Sequence, residues 1–177
     1  MGVCESCMKK ADPFNIIMFG LSGGGKTSIL YKLKTGTTVE PAITSGANNE
    51  IIKVENTEFH IWDIAGNESS QSNWKFFCNF PQAIVYVVDS TDSQKILKGK
   101  EEMRKIVFQP DFNKLPLLVF GNKSDDQNSI PINQVMELLS LNEIQDRQWF
   151  LQKSSSVSGE GLFEGLKWLS DILKMNN

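Results

Sequence analysis

A glycine-rich stretch, GLSGGGKTS at residues 20–28, lies between an apolar run and a helical pattern. The spacing from Gly20 to Gly25-Lys26-Thr27 matches the phosphate-binding loop G-x-x-x-x-G-K-[ST]. Small residues let consecutive backbone N–H groups surround a phosphate, and the following helix adds its positive dipole end. We expect Lys26 to reach the outer phosphates and the Thr27 hydroxyl to bind Mg²⁺. The residues predicted to contact nucleotide are Ser22, Gly23, Gly24, Gly25, Lys26, Thr27 and Ser28. The alternative is a glycine-rich turn that carries Lys-Thr by chance.

A second motif, N-K-x-D at Asn122-Lys123-Ser124-Asp125, indicates which base is bound. A carboxylate at Asp125 can accept both the ring N–H and the exocyclic amine of guanine, and adenine offers neither arrangement. An unpaired buried carboxylate is costly, so this contact discriminates strongly. We expect Asn122 to meet the far edge of the base and the Lys123 stem to cover its face. The motif follows a strand-like run, and open α/β sheets bind ligands at the carboxyl ends of strands.

A third motif, D-x-x-G at Asp63 to Gly66, directly follows an apolar run. Asp63 is predicted to hold Mg²⁺ through water, and the N–H of the flexible Gly66 to contact a γ-phosphate. The alternative is an ordinary strand-ending aspartate followed by a turn glycine.

Apolar strand-like runs alternate with helical patterns, which predicts an α/β fold with a mostly parallel six-stranded sheet and helices on both faces. A short turn between the second and third runs predicts a hairpin that adds one antiparallel strand. The predicted strands are Phe14–Phe19, Ile51–Val54, Phe59–Trp62, Ala83–Val88, Leu115–Phe120 and Trp149–Leu151. The predicted helices are Thr27–Leu33, Gln94–Phe108, Ile132–Leu141 and Gly161–Lys174. Long loops are predicted at Thr35–Asn49 and Gly66–Asn73, where they are expected to be functional.

Strand and helix periodicity also predicts which apolar side chains are core. One member of each alternating pair in Phe59-His60-Ile61-Trp62 is expected to be buried. The other predicted core residues are Trp149, Phe150, Leu166, Leu169 and Leu173.

The composition bounds the class of protein. A chain of 177 residues with 40% hydrophobic residues is the size of one globular domain, and a net charge of −3 argues against a nucleic-acid surface. The apolar run AIVYVV has only strand length, too short to span a membrane. Three cysteines are too few for a disulfide framework and favour a reducing compartment. Cys4 and Cys7 form a C-x-x-C pattern, but the sequence offers no second pair of ligands, which argues against a zinc site.

The motifs together resemble the ADP-ribosylation factor (Arf) and Arf-like family of small GTPases. The resemblance is carried by GLSGGGKTS, WDIAGN, VVDSTD, GNKSD and SSSVSGEGLFEGLKWL, in this order. It implies a Ras-like P-loop G domain at residues 14–177, preceded by an anchor or leader at residues 1–13. It also implies a monomeric switch that cycles between GDP and GTP with Mg²⁺ in vesicle or membrane trafficking. The implied partners are protein effectors, an exchange factor and a GTPase-activating protein.

The resemblance also assigns individual residues. Thr44 is the first switch-loop threonine, which binds Mg²⁺ and senses the γ-phosphate. Ser155, Ser156 and Val157 stand where the family presents a backbone N–H to the guanine oxygen. The hairpin of residues 51–62 is expected to shift register between the GDP and GTP states, gated by the N-terminal segment.

Four positions depart from the family pattern. Asn67 replaces the catalytic glutamine that orients the attacking water, and its amide is one methylene shorter. Because a misplacement of about 1 Å can cost on the order of a hundredfold, we expect slow hydrolysis. Ala65 replaces a glycine, Ser22 replaces an aspartate, and Ala47 replaces an aromatic that would join Trp62 and Phe77 in the effector patch.

One alternative function is an essentially non-hydrolysing, GTP-loaded interaction module. Another, an adenine-using phosphotransferase, is disfavoured by the N-K-x-D motif.

The N-terminus fits the myristoylation pattern M-G-x-x-x-[ST], with Gly2 as the acceptor. One acyl chain holds a membrane only marginally, so a second signal is needed. Cys4 and Cys7 are candidates for palmitoylation, with Lys9-Lys10 as a weak electrostatic supplement. We therefore expect a cytoplasmic protein that associates peripherally with a membrane. The alternative is a leader that carries two exposed thiols.

Overall fold

The structure is a computed structural model that describes residues 12–38, 44 and 46–176. Strands and helices alternate through these residues, as the sequence predicts. The strands are β1 (Phe14–Phe19), β2 (Ala47–Val54), β3 (Thr57–Ile64), β4 (Ala83–Asp89), β5 (Leu117–Asn122) and β6 (Trp149–Lys153). The helices are α1 (Lys26–Thr35), α2 (Glu68–Ser72), α3 (Ser93–Val107), α4 (Ile132–Leu139) and α5 (Leu162–Met175).

The six strands form one sheet in the order β2-β3-β1-β4-β5-β6. Every neighbouring pair is parallel except β2 and β3, which pair antiparallel from Ala47 opposite Ile64 to Val54 opposite Thr57. The predicted α/β class and the antiparallel hairpin are both confirmed. β4 and β5 are buried along their whole length, which explains why they read as continuous apolar runs.

Helices cover both faces of the sheet, and alternate residues of β1 enter two separate cores. Ile17 and Phe19 join the core beneath α3 and α4, whereas Ile16 and Met18 join the core beneath α1 and α5. The predicted leucine stripe of α5 lies in the second core, where Leu166, Leu169 and Leu173 are buried. The two cores hold the sheet rigid, so the loops at its edge have a fixed platform.

The structure corrects three predictions about local structure. The predicted loop Gly66–Asn73 contains the short helix α2, and the predicted loop Thr35–Asn49 gives residues 47–49 to β2. Two of these three β2 residues, Asn48 and Asn49, are polar, as an edge strand tolerates, so apolar patterning did not mark them. Trp149 and Phe150 are half-buried rather than core because β6 is the other edge strand.

The predicted alternation in β3 is confirmed. Phe59 and Ile61 are fully buried, and His60 and Trp62 are half-buried on the opposite face, with ring centroids 4.6 Å apart. Burial lowers the pKa of His60. His60 Nε2 also lies 3.0 Å from Asn49 Oδ1. The histidine is therefore a structural residue of the hairpin.

Within the described residues, no helix is long and apolar enough to cross a membrane. The same part of the chain holds no group of three or more His, Cys, Asp or Glu side chains placed to bind a metal ion together. Cys78 is buried, and burial raises the pKa of its thiol to about 11, so the thiol is protonated at neutral pH. Cys4 and Cys7 lie outside the described residues.

Candidate nucleotide-binding site

The sequence motifs meet at one edge of the sheet. Because β3, β1, β4, β5 and β6 are parallel, their carboxyl ends converge there. The phosphate loop follows β1, D-x-x-G follows β3, N-K-x-D includes the end of β5, and the serine-rich stretch follows β6. This is the edge at which open α/β sheets bind ligands.

The phosphate loop is shaped by backbone conformations that favour glycine. Gly23 and Gly25 have φ values of 80° and 95°, and Gly24 N donates to Leu21 O at 3.2 Å. Helix α1 begins directly after Gly25, which provides no side-chain cap. Its first-turn N–H groups and its dipole therefore favour an anion at this end.

Lys26 lies folded against the loop that precedes it. Its side chain is buried, and Nζ donates to Gly20 O at 2.9 Å and to Leu21 O at 3.3 Å. Burial lowers the pKa of Lys26, and the negative charge of Asp63 partly offsets that effect. The two carbonyl groups hold the ammonium at the phosphate loop, and its contact with the outer phosphates stays a prediction.

Three predicted Mg²⁺ ligands lie together although they are far apart in sequence. Thr27 Oγ1 donates to Asp63 Oδ2 at 2.5 Å and lies 2.8 Å from Thr44 Oγ1. Since a hydroxyl has one proton to donate, Thr44 is the donor in the second bond. Burial raises the pKa of Asp63, against the opposing effects of the Thr27 hydrogen bond and the Lys26 charge.

The unused oxygen of this cluster tests whether a cation fits. Among the described residues, Asp63 Oδ1 is buried without a hydrogen-bond partner. A buried carboxylate oxygen normally has a partner. Two hydroxyls and a carboxylate are the hard oxygen donors that Mg²⁺ prefers. The donor set and the orphaned oxygen therefore fit the predicted ion.

Gly66 brings the D-x-x-G loop against the phosphate loop. A Cβ at Gly66 would lie within 3 Å of backbone atoms of Gly20, Leu21 and Ser22. Only glycine permits this approach, because the obstructing atoms are backbone and cannot rotate away. The backbone of Gly66 is therefore next to the loop that is predicted to hold the phosphates.

The side-chain amide of Asn122 joins two loops of the site. Its Nδ2 donates to Gly24 O in the phosphate loop at 2.9 Å, and its Oδ1 accepts from Ser156 N at 2.9 Å. Asn122 is fully buried, and a Cβ on Gly25 would collide with its amide. The sequence predicts a contact with the base, whereas this linking role was not predicted.

The serine-rich stretch folds into a tight turn in which the predicted N–H donors already have partners. Ser155 N donates to Glu160 O at 3.0 Å, and Val157 N donates to Ser155 Oγ at 3.1 Å. Ser156 N is the donor to Asn122. A guanine oxygen at this turn would compete for an N–H donor with the present acceptor, which is Asn122 Oδ1 or an oxygen of the turn itself.

At the base motif, Asp125 is exposed and Lys123 has a left-handed backbone with φ 66°. Lys123 Nζ donates to Asp89 Oδ2 at 2.7 Å. The sequence analysis did not assign Asp89 to the site, although an aspartate directly follows the apolar run AIVYVV; its position beside the base motif comes from the pairing of β4 with β5.

Asn67 acts as the N-cap of α2. Its Oδ1 accepts from Ser70 N at 2.8 Å, which satisfies one of the free N–H groups in the first turn of the helix. The capping role explains why a helix forms in a segment that was predicted to be a loop.

The structure shows the surroundings of the residues predicted to bind effectors. Ala47, Trp62 and Phe77, which were expected to form an exposed effector patch, are partly buried against one core, and their role in effector binding stays a prediction. Farther along, Phe76 and Phe80 are 85% and 89% exposed, which sequence reasoning did not anticipate. Gly2, Cys4 and Cys7, the predicted lipidation residues, lie outside the described residues.

The bridge made by Asn122 gives a prediction. Asn122→Ala removes the partners of Gly24 O and Ser156 N, and a buried unsatisfied group costs about 1–3 kcal/mol. We expect guanine nucleotide to dissociate at least about tenfold faster, measured by displacement of a fluorescent GDP analogue. Asn133→Ala, at an exposed position of α4, is the matched control. Equal dissociation rates for the two variants would contradict the linking role.

Comparison with known proteins identifies the family. The chain matches the model of the ADP-ribosylation factor family over residues 2–173. It is 42% identical over 161 residues to ADP-ribosylation factor 3 of Arabidopsis thaliana, covering 90% of this chain and 87% of the relative. The same values hold for ADP-ribosylation factor 1 of Brassica rapa subsp. pekinensis.

A solved structure supports the fold. The Arl6 (BBS3) small GTPase of Trypanosoma brucei, with the bound nucleotide analogue GppNp, aligns with a TM-score of 0.82 at 23% identity. The alignment covers 94% of this chain and 100% of that chain. With the family match over nearly its whole length, the chain belongs to the ADP-ribosylation factor family of small GTPases, which bind GTP and GDP as molecular switches.

Proposed function

We propose that this chain is a Mg²⁺-dependent guanine-nucleotide switch that associates with a membrane and hydrolyses GTP slowly on its own. The observation that carries the proposal of slow hydrolysis is the capping bond from Ser70 N to Asn67 Oδ1. The switch function is inferred from membership of the family.

Phosphate binding is the task of the loop after β1. Its backbone N–H groups and the positive end of α1 bind the phosphates, and Lys26, held by two loop carbonyls, presents its charge to them. Thr27, Thr44 and Asp63 would hold Mg²⁺, with Asp63 acting through water. When bound, the ion neutralises negative charge on the β- and γ-phosphates.

Thr44 and Gly66 are the residues that would sense the γ-phosphate. Thr44 reaches the cluster through its hydroxyl, and Gly66 lies against the phosphate loop through its backbone. Both belong to segments between regular elements, which can change conformation at lower cost than a strand or helix. Loss of the γ-phosphate would release both segments, so the conformation of this surface would depend on whether GDP or GTP is bound.

Base recognition is assigned to the loops after β5 and β6. Asp125 would accept from the ring N–H and the exocyclic amine of guanine, and the exposed position of its carboxylate leaves it accessible to the ligand. The stem of Lys123 would cover one face of the base. Ser155, Ser156 and Val157 would offer backbone N–H groups to the guanine oxygen, in competition with their present partners.

Slow hydrolysis follows from what the Asn67 amide already does. A catalytic amide must accept a hydrogen bond from the attacking water to orient it. The Asn67 oxygen instead accepts from the backbone of α2 at 2.8 Å, and the side chain is one methylene shorter than glutamine. Both effects remove the group from the reaction, and Asn is among the best capping residues.

The same observation favours a second candidate, an interaction module that stays loaded with GTP and barely hydrolyses it. The two candidates differ in whether a partner restores hydrolysis. An activating protein can supply an arginine and a water-orienting group in trans. Added activating protein therefore separates a switch from a loaded module.

Membrane association and a role in trafficking are further parts of the proposal. Gly2 would carry a myristoyl group, and Cys4 or Cys7 a second acyl chain, because one chain anchors only marginally. The protein would act as a cytoplasmic monomer with effectors, an exchange factor and an activating protein. The patch of Ala47, Trp62 and Phe77 is flatter than the family's, so a partner that inserts between aromatic rings is disfavoured.

The catalytic part is tested by single-turnover GTP hydrolysis of Mg²⁺-loaded protein. Asn67→Gln frees an amide of the length that positions water, so we expect hydrolysis to rise by about tenfold to a hundredfold. Asn67→Ser keeps a capping oxygen without an amide and should remain as slow as the wild type. If wild type and Asn67→Gln hydrolyse equally, or Asn67→Ser is far slower than wild type, the assignment of Asn67 is wrong.

The lipid anchor is tested with protein co-expressed with an N-myristoyltransferase. We expect mass spectrometry to show one myristoyl group, and flotation with liposomes to show weak binding that Gly2→Ala abolishes. Cys78→Ser is the matched control, because that thiol is buried in the core. Unchanged liposome binding in Gly2→Ala would rule out anchoring through this residue.

A further inference from the structure

Asp89 is the buried charge in the site that none of the three motifs includes. It is the last residue of β4, where it pairs in register with Asn122 of β5. Its side chain is only 4% exposed. A carboxylate so well buried requires compensating partners.

The partners of Asp89 fix the carboxylate in one orientation. Oδ1 accepts from Thr91 N at 3.0 Å and from Thr91 Oγ1 at 2.6 Å. Oδ2 accepts from Lys123 Nζ at 2.7 Å, and Lys95 Nζ lies 3.6 Å away. Thr91 therefore orients the carboxylate, and its second oxygen is directed at Lys123.

The carboxylate is ionised at neutral pH. Burial alone would raise the pKa of Asp89, but hydrogen bonds from Lys123 and Thr91 outweigh burial and hold the pKa below its usual value. The bond to Lys123 is therefore charge-assisted, which makes it one of the stronger kinds of side-chain contact.

Lys123 is held at both ends. Its backbone has φ 66°, a left-handed conformation that is unfavourable for a residue with a side chain. The flanking turn is closed by bonds from Asp126 N to Lys123 O at 3.1 Å and from Ser124 N to Ser154 O at 3.0 Å. With the ammonium fixed at Asp89, the four-carbon stem between the two anchors has little freedom left.

We propose that Asp89 is a positioning residue of the base site: it anchors the ammonium of Lys123, so that the lysine stem forms a preformed apolar surface for the guanine ring. The inference rests on the proposed function, in which the Lys123 stem covers the base. Fixing the stem before binding spares the entropy of ordering a long side chain, which strengthens retention of the nucleotide.

Lys95 provides the comparison within the same cluster. Its ammonium is farther from the carboxylate than that of Lys123, and its side chain is 53% exposed. It belongs to α3, outside the base motif. If Asp89 served only to balance charge, Lys95 and Lys123 would be equivalent. The proposal predicts that only Lys123 carries the effect.

The test is a double-mutant cycle on the full chain, read as the dissociation rate of a fluorescent GDP analogue. Asp89→Asn keeps an acceptor for Thr91 and removes the charge. We expect dissociation on the order of tenfold faster, as for loss of one charge-assisted hydrogen bond. Lys123→Ala should also release the GDP analogue faster. In the Lys123→Ala background, Asp89→Asn should not increase the dissociation rate further. Lys95→Ala should leave the rate unchanged.

The outcomes separate this inference from the function on which it rests. If Lys123→Ala does not change the rate, the role proposed for the Lys123 stem fails, and the inference fails with it. If Lys123→Ala is fast but Asp89→Asn is not, or if the two effects multiply, only the role of Asp89 is overturned. Should Asp89→Asn not fold, the charge-conserving Asp89→Glu is measured in both backgrounds. A rate change that persists without Lys123 would overturn the proposal.

Discussion

The side-chain amide of Asn122 is the interaction on which the rest of the site depends. It donates to the phosphate loop and accepts from the loop after β6, so the two ends of a nucleotide site are held by one buried group. The amide can do this because β5 ends beside β4 and β6, and because Gly25 has no Cβ to obstruct it. Gly66 likewise must lack a Cβ, because its backbone lies against that of the phosphate loop. The site is therefore set by how closely backbone segments approach one another.

Much of this arrangement can be read from the sequence. Apolar runs mark the buried strands, and the order of the motifs places each one after a parallel strand. What escapes prediction is polar or exposed. The first residues of β2 and the helix α2 lack an apolar pattern, and α2 depends on a capping bond from Asn67. Asp89 lies outside the three nucleotide-binding motifs, and its contact with Lys123 becomes visible only when β4 and β5 are aligned.

Two local contacts underlie the proposed function and the further inference. The proposal of slow hydrolysis rests on the capping bond that the Asn67 side-chain oxygen accepts from Ser70 N. The buried carboxylate of Asp89 is compensated by hydrogen bonds from the partly exposed Lys123 and Thr91, as a charge in low-dielectric surroundings requires. We propose that the two contacts together favour tight nucleotide binding with slow hydrolysis.

Recognition of guanine by this site is best tested by titrating nucleotide-free protein with GTP, ATP and XTP in the presence of Mg²⁺. We expect the wild type to bind GTP at least about a hundredfold more tightly than ATP, because a bound adenine would cover the exposed Asp125 carboxylate without pairing with it. We expect Asp125→Asn to prefer XTP, whose ring carbonyl accepts from the new amide. Equal affinity for GTP and ATP, or an unchanged base preference in Asp125→Asn, would contradict guanine recognition by this site.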